Sequence, residues 1–217
     1  MMESSSASPP STPAGSTGGR KHDPAKERIL QVATELFSAR GYADVSMQEI
    51  ANAAGMTKAA LYYHFDDKKA LFVGVFVRTL TAFTAQMYAA IDANRPLAET
   101  LRAIASFVVA NGRGEGRRIN TDVHTFISPE ERALVFKEVE HPSLAFIRFL
   151  EDQQARGLIA PEIDVGFAGP LFMSMISGQV RRFTAASMIG LPLPDMTDDQ
   201  IAANIVEIFL HGICAHT

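Results

Sequence analysis

The segment GMTKAALYYHFDDKKAL, from Gly55 to Leu71, places two tyrosines, a histidine and three lysines around one short helix. Thr57 is a favourable N-cap residue, and the helix that follows it is predicted to cover Lys58 to Phe65. A helix of this length is marginal in water when it is isolated, so neighbouring segments must stabilise it. Its aromatic and basic residues therefore have to be interpreted together with the helices around it.

The preceding segment predicts a partner helix. Ser46, with Glu49 three residues later, forms a capping-box pattern at the start of a helix over Met47 to Ala54. Gly55 then supplies the tight turn that ends this helix. Two short helices joined in this way are typical of a helix-turn-helix, in which the second helix enters the major groove of DNA.

The remaining sequence also predicts helices, without strand-like alternation or an internal repeat, so the predicted fold class is all-α. The other predicted segments are a first helix from Asp23 and Pro24 to Gly41, a fourth helix after Asp66 and Asp67, a helix from Pro96, a break over Asn111–Arg118, one or two helices over Glu130–Arg156 with a kink at Pro142, a long helix from Asp164 to about Ile189, and a last helix over Asp198–His211. The predicted domains are a disordered tail (1–22), an N-terminal three-helix domain (23–70) and a larger C-terminal helical domain (71–217).

The composition is that of a soluble protein with a hydrophobic core. Hydrophobic residues make up 47% of the 217 residues, and no apolar run approaches the roughly 20 residues that a membrane span needs. The N-terminus lacks the hydrophobic centre of a secretory signal, and a single cysteine excludes an internal disulfide, so we expect a cytoplasmic location without a membrane partner. The net charge is −4, but residues 20–70 hold 8 Lys/Arg against 7 Asp/Glu.

The second helix of the pair can present a polar face to DNA if Leu61, Phe65 and Ala60 pack inward. Lys58 can then reach guanine acceptors or a phosphate, and the small Ala59 permits close approach to base edges. The residues expected on the open side or at helix starts that suit phosphate are Ser46, Thr57, Lys58, Ala59, Tyr62, Tyr63, His64 and Lys68. The alternative interpretation is that aromatic residues at helical spacing pack in the core, with one tyrosine partly buried, and that DDKK is only a solvated turn.

The block from Lys26 to Phe72, KERILQVATELFSARGYADVSMQEIANAAGMTKAALYYHFDDKKALF, resembles the DNA-binding domain of the tetracycline-repressor (TetR) family of bacterial transcriptional regulators. The motifs that carry the resemblance are ATELFSARGY, S-x-x-EIANAAG, and LYYHF followed by K-x-x-L. They cover almost 50 residues, whereas the rest of the chain has no comparable signature. Lys69 departs from the family pattern, which often has an acidic residue at that position.

The resemblance implies a three-helix DNA-binding head, a connecting fourth helix and a larger helical domain for ligand binding and dimerisation. It implies phosphate contacts by Ser46, Thr57, Tyr63, His64 and Lys68, positions nearest the bases for Lys58, Ala59 and Tyr62, and a contribution from Gln48. The function that follows is a ligand-responsive homodimeric repressor that binds a palindromic double-stranded DNA operator in the major groove.

The last two predicted helices carry apolar stripes that suit a four-helix dimer interface. The stripe of the last helix consists of Ile201, Ile205, Ile208, Phe209 and Ile213, and the preceding helix carries Leu171, Met175 and Val180 in a similar arrangement. The alternative is that both stripes face only the core of their own subunit.

A hydrophobic or amphipathic small-molecule effector is expected in the larger domain, where aromatic and methionine residues give an apolar, deformable interior. The candidate ligand-binding residues are Phe107, Asn120, His124, Phe126, Met173 and Gln179. Plain core packing or surface exposure is the alternative for each of them.

The sequence predicts no metal, no cofactor and no catalytic site. Cys214 and His216 are two apart and point about 200° from one another on a helix, and His211 with Cys214 would supply only two ligands. Paired carboxylates, a nucleophile with a base, and a phosphate loop are all missing from the sequence. Two competing hypotheses are a helical enzyme that uses the helix-turn-helix only for packing, and an interaction protein that has lost operator binding.

Overall fold

The structure is a computed structural model that describes residues 23–188 and 196–213, apart from residues 93, 114, 115 and 140. In this part of the chain it consists of helices and connecting loops without a β-strand, which confirms the predicted all-α fold class. The helices are α1 (Pro24–Arg40), α2 (Met47–Ala53), α3 (Lys58–His64), α4 (Lys68–Ala90), α5 (Leu97–Arg113), α6 (Gly116–Phe126), α7 (Pro129–Glu138), α8 (Pro142–Ala155), α9 (Val165–Met188) and α10 (Asp198–Ile213). The predicted disordered tail lies outside the described residues.

The first four helices begin where the sequence places capping residues. The Asp23 carboxylate accepts hydrogen bonds from the backbone amides of Ala25 and Lys26 at the start of α1. The Asp67 side chain accepts one from the Ala70 amide at the start of α4. Because such side chains satisfy amides that a helix leaves unpaired, local sequence is sufficient to fix these boundaries.

The structure differs from the prediction between residues 111 and 156. Asn111–Arg113 belong to α5, and Gly116–Arg118 belong to α6, a helix that the prediction of a break missed. Pro142 is the first residue of α8, which follows a separate α7, so the predicted kink at this proline is wrong. Proline is favourable at a first helical position because its missing N–H has no partner there anyway.

Two hydrophobic cores organise the molecule. We call helices α1–α3 the head. The first core lies under these three helices. Its buried residues are Ile29, Ala33, Phe37, Val45, Met47, Ile50, Ala51, Leu61, Phe65, Leu71, Phe72, Val75, Phe76, Ile119, Val123, Ile127 and Val135. The set includes residues of α4, α6 and α7, so the head core extends well beyond the predicted domain boundary at residue 70.

The second core lies in the body, by which we mean α4–α10, and contains buried residues of α4, α5, α8, α9 and α10. Phe172 of α9 is fully buried and packs against Phe146 of α8 and Phe209 of α10, with ring centroids 5.2 and 4.7 Å apart. The two cores meet along α4, which buries Phe72 in the first and Met87 in the second.

Helix α4 is long and apolar enough to cross a membrane by length and composition alone. Core helices of soluble proteins have the same properties, and α4 packs against α1, α5, α6 and α8. Its buried apolar residues belong to the two cores that it joins.

Candidate nucleic-acid interface

Helices α2 and α3 form a helix-turn-helix whose turn depends on Gly55. This residue has φ +69°, a left-handed conformation that favours glycine. Its amide donates to the Asn52 carbonyl at 3.1 Å, and the Met56 amide donates to the Ala51 carbonyl at 3.0 Å. These bonds close the C-terminus of α2 and direct the chain into α3.

Helix α3 is anchored by one face. Leu61 is fully buried, and Phe65, which follows the helix, is also buried. Ala60 was expected to pack inward as well, but it is exposed. In this seven-residue helix, Leu61 is the one buried residue. The tertiary contacts of Leu61 and Phe65 explain how so short a helix is held.

The opposite face of α3 is open to solvent. Lys58 and Ala59 are exposed, Tyr62 has 42% of its surface exposed and Tyr63 has 87%. The Lys58 ammonium lies 5.8 Å from the centroid of the Tyr62 ring. This face therefore carries a cation, two phenolic hydroxyls and a small residue near its start, with the polar ends directed away from the core.

His64 and Thr57 lie at the two ends of α3. The Thr57 hydroxyl accepts a hydrogen bond from the Ala60 amide at 3.1 Å, which is its capping role. His64 is half-buried, with Nδ1 3.2 Å from a carboxylate oxygen of Asp23 and its ring edge-on to Tyr63 at 5.3 Å. Both residues are thus held in fixed orientations beside the exposed face.

Lys68 is held at the edge of this surface by the loop before α2. Its ammonium donates to the Ala43 carbonyl at 3.2 Å and lies 4.3 Å from the centroid of the Tyr42 ring. Partial burial lowers the pKa of Lys68 from the ordinary lysine value. The nearby Lys69 points elsewhere, because it pairs with Glu131 of α7 at 2.7 Å.

Five of the nine predicted DNA-binding residues line one open groove of about 430 Å³ between α2, α3 and the start of α4. They are Ser46, Gln48, Lys58, Tyr62 and Lys68. Gln48 is exposed, and its amide donates to the Asn52 side chain at 2.9 Å. The remaining four residues are Thr57, Ala59, Tyr63 and His64, which lie on α3 or at its N-cap.

Ser46 has a competing partner inside the protein. Its hydroxyl donates to a Glu49 carboxylate oxygen at 2.7 Å and accepts from the Glu49 amide at 3.2 Å. This hydrogen bond from Ser46, followed by one from Arg40 at 2.7 Å, lowers the pKa of Glu49 to about 2. A phosphate contact by the Ser46 hydroxyl would therefore compete with a charged carboxylate.

A cavity of about 590 Å³ lies in the body and is lined by three of the predicted ligand-binding residues, Asn120, His124 and Met173. These three residues also line a neighbouring cavity of about 380 Å³. The other predicted ligand-binding residues lie elsewhere. Phe107 packs against Phe83, which lines both cavities, but does not line either itself. Phe126 contacts Tyr42 at the junction with the head, and Gln179 is half-buried on α9 outside both linings.

The predicted dimer stripe is only partly exposed. Ile201, Ile205 and Phe209 are buried in the body core of their own subunit, which corrects the prediction that they face a partner. The buried face of α10 is centred on Ala202 and Val206, and Ile208 at its edge keeps 66% of its surface exposed. The side chain of Ile213 lies outside the described residues.

The described residues contain no cluster of three or more His, Cys, Asp or Glu side chains that could hold a metal ion. Cys214 and His216 fall outside them, so the structure adds nothing to the sequence argument about this pair.

Comparison with known proteins identifies the helices of the candidate interface. A family model described as "Bacterial regulatory proteins, tetR family" matches residues 29–75, which run from α1 into α4. The head is a tetR-family domain. This match agrees with the resemblance inferred from the three motifs, and it includes every predicted DNA-binding residue.

Two curated relatives each match a stretch of 47 residues of this chain. The HTH-type transcriptional regulator AcrR from Shigella flexneri is 51% identical over 47 residues, which are 22% of each chain. The negative transcriptional regulator IcaR of the biofilm operon icaADBC, from Staphylococcus aureus strain Newman, is 43% identical over 47 residues, 22% of this chain and 25% of that protein. The chain thus matches a quarter or less of the length of these relatives. Both relatives are regulators of transcription.

The likeness of the body is one of fold. A solved bacterial regulatory protein in the tetR family from Rhodococcus RHA1 superposes with a TM-score of 0.65 at 25% identity, over 90% of this chain and all of that one. The tetR-family domain and the helical body therefore occur together in a known architecture.

The sequence analysis missed three structural features: the packing of α6 on the tetR-family domain and two lining residues of the body cavity. Helix α6 reaches back to the domain, since Arg118 donates to the Ala39 carbonyl at 2.9 Å and Asp122 accepts from the Tyr42 amide at 2.6 Å. Thr79 and Arg132 were not considered as lining residues of the body cavity. The spacing of Ile119, Val123 and Ile127, four residues apart, is the signal that could have revealed α6.

Proposed function

We propose that the protein is a ligand-responsive homodimeric repressor of transcription that binds a palindromic operator in the major groove. The observation that carries the proposal is the face of α3, where Lys58, Tyr62 and Tyr63 are exposed while Leu61 is fully buried. A helix-turn-helix reads DNA with such a face on its second helix. The negative regulation described for IcaR supports repression, and the DNA partner places the protein in the cytoplasm.

In the proposed complex, the start of α3 enters the major groove. Lys58 and Tyr62 offer donors to base edges, and Ala59 allows the backbone to come close. Thr57, Tyr63, His64 and Lys68 at the ends and sides of α3, with Ser46 and Gln48 at the start of α2, contact the sugar-phosphate backbone and fix the register. Ser46 can do so only by giving up part of its bond to Glu49.

Exposed apolar residues on α9 and α10 support the homodimer. Phe167 and Leu171 of α9 keep 69% and 44% of their surfaces exposed, and Ile208 of α10 keeps 66%. The contact between Phe172 and Phe209 places their chain neighbours Leu171 and Ile208 at the same level of the two helices. Two copies of this face would form a four-helix interface, and a dimer is needed because a palindrome presents half-sites roughly 34–36 Å apart.

Ile208→Glu is expected to convert the dimer to monomers, because it places a charge in the centre of the proposed apolar interface. Sedimentation velocity at micromolar concentration measures the change. Leu134→Glu is the matched control, since Leu134 of α7 is 60% exposed on another part of the surface and should leave the dimer intact. A dimer that persists in Ile208→Glu would place the interface elsewhere.

Helix α6 gives the proposed ligand response a physical route. Asn120 and His124 line the body cavity, whereas Ile119 of the same helix is buried in the head core. A ligand that binds better to one position of α6 shifts the equilibrium between arrangements of the two heads, and DNA affinity changes by the same coupling free energy. The fourth helix, expected from the sequence as the connection between head and body, is thus accompanied by a second link.

Selection of duplex fragments from a random library tests the function. We expect one palindromic sequence to be enriched, with an affinity that falls steeply with salt, at a log–log slope of about −0.9 for each phosphate contacted. Failure to enrich any sequence, together with binding that ignores salt, would favour the interaction protein. Turnover of a substrate would favour the enzyme.

A further inference from the structure

The body cavity has a lining of one electrostatic sign. Its apolar part is aromatic and includes Phe76, Phe83 and Phe136. Its polar part contains arginine, histidine, asparagine, glutamine, serine and threonine side chains, and the described lining includes no aspartate or glutamate. A cavity with cationic and neutral donors and without carboxylates favours a ligand that carries negative charge.

Of the two arginines in the lining, Arg132 has the more available charge. Arg78 forms an ion pair with Glu27 of α1. Arg132 instead donates to the Ile127 and Val123 carbonyls at 2.5 and 3.4 Å. The Glu130 carboxylate is near enough for its charge to interact with that of Arg132, but the described residues include no carboxylate within ion-pair distance of the guanidinium. A guanidinium held by carbonyls keeps its full charge and further N–H groups, which suit a carboxylate.

Thr79 supplies an independent indication that the cavity is a ligand site. Its hydroxyl is buried and has no hydrogen-bond partner in the described part of the chain. Threonines inside helices commonly donate to the carbonyl four residues earlier. Thr81 and Thr84 of the same helix do so, at 2.8 and 2.9 Å. Thr79 is a lining residue of the cavity, so a rotation of its side chain about χ1 would present this unused donor to an acceptor atom of a bound ligand.

We propose that this cavity binds an amphipathic organic anion, with a carboxylate at Arg132, an acceptor atom at the Thr79 hydroxyl and an apolar body along Phe76, Phe83 and Phe136. A volume of about 590 Å³ suits a small molecule of roughly this kind. The biological meaning of the site rests on the proposed effector role of the cavity, whereas the binding itself does not depend on DNA.

Calorimetry on the full chain tests the proposal with three probes of equal chain length, decanoate, decanol and decylammonium. We expect decanoate to bind about tenfold or more tightly than decanol, because a charge-assisted hydrogen bond is lost with the alcohol, and decylammonium to bind most weakly. Equal affinity for the three probes, a preference for decylammonium, or no binding of any of them overturns the proposal.

Two variants locate the site. Thr79→Val keeps the shape of the side chain and removes only the unused hydroxyl, so it should lower decanoate affinity several-fold without lowering the thermal unfolding temperature. Thr81→Val is the matched control on the same helix and should leave decanoate affinity unchanged. Arg132→Met should abolish the preference for decanoate over decanol, and Arg132→Lys should retain part of it. An unchanged preference in Arg132→Met, or unchanged affinity in Thr79→Val, contradicts the assignment.

The same titrations separate this inference from the proposed function. Decanoate binding that lowers or raises operator affinity supports both. Decanoate binding without any change in operator affinity supports the anion site and overturns the effector role of the cavity. Operator binding by a chain that does not discriminate the three probes overturns the anion site alone.

Discussion

Replacement of Ile119 by alanine is expected to lower the free energy of unfolding by about 2–5 kcal/mol, the range for a buried isoleucine truncated to alanine. Ile119 lies outside residues 29–75, the segment that matches the tetR family, but it is fully buried in the core of the head. Truncation leaves a cavity between α6 and the head and removes apolar contacts there. Urea denaturation followed by circular dichroism measures the loss.

Thr125→Ala is the matched control for this prediction. Thr125 lies on the same helix and is exposed, with its hydroxyl donating to the Thr121 carbonyl. An exposed substitution of this kind should change the free energy of unfolding by less than about 0.5 kcal/mol. If Ile119→Ala were equally mild, α6 would not belong to the head core.

Lys58→Ala is expected to lower affinity for the selected operator by about 5- to 150-fold, corresponding to a base contact of roughly 1–3 kcal/mol. It should also narrow the difference in affinity between the operator and random duplex, because a side chain that reads bases is lost. Tyr63→Ala should weaken operator and random duplex by the same factor, since a backbone contact is independent of sequence. Fluorescence anisotropy with both duplexes at one fixed salt concentration separates the two outcomes.

Arg95→Ala controls for the loss of a positive charge. Arg95 lies before α5, at the far end of α4 from the head, and its nearest recorded ion-pair partner is Asp92 at 3.8 Å. We expect operator affinity to be unchanged in this variant. Unchanged operator binding in both Lys58→Ala and Tyr63→Ala would show that α3 is not the recognition helix.

The helix boundaries of the head could be predicted because their causes are local. Asp23, Ser46, Thr57 and Asp67 each bond an amide two or three residues away, and the conformation of Gly55 depends on its own missing side chain. The exposure of the DNA-facing side of α3 follows from the same helix geometry once Leu61 is placed inward. Local sequence therefore determines which side chains share the exposed face of α3.

What could not be predicted depends on contacts between distant segments. The apolar stripe of α10 indicates that one face is buried, but only the packed structure shows that Ile201, Ile205 and Phe209 face their own subunit. The prediction also missed helix α6, because it begins at a glycine followed by charged residues. The segments that α6 contacts in the head lie about 80 positions earlier in the chain.

The lining of the body cavity was likewise predictable only in part. An apolar interior with a few polar groups was expected, and Asn120, His124 and Met173 do line it. The unused hydroxyl of Thr79 could not be expected, because five threonines in described helices, including Thr81 and Thr84, satisfy themselves by the ordinary bond to a preceding carbonyl.

The two-sided packing of α6 has a consequence for how such a protein can evolve. Substitutions at Asn120 or His124 could adapt the cavity to a different ligand, but they also affect α6, the helix that carries Ile119 of the head core. Such substitutions are therefore also constrained by selection for operator affinity. Positions on α8, such as Ser143, line the same cavity from a helix without a residue in the head core. Substitutions that change ligand preference should therefore accumulate first on α8, where selection for operator affinity constrains them less.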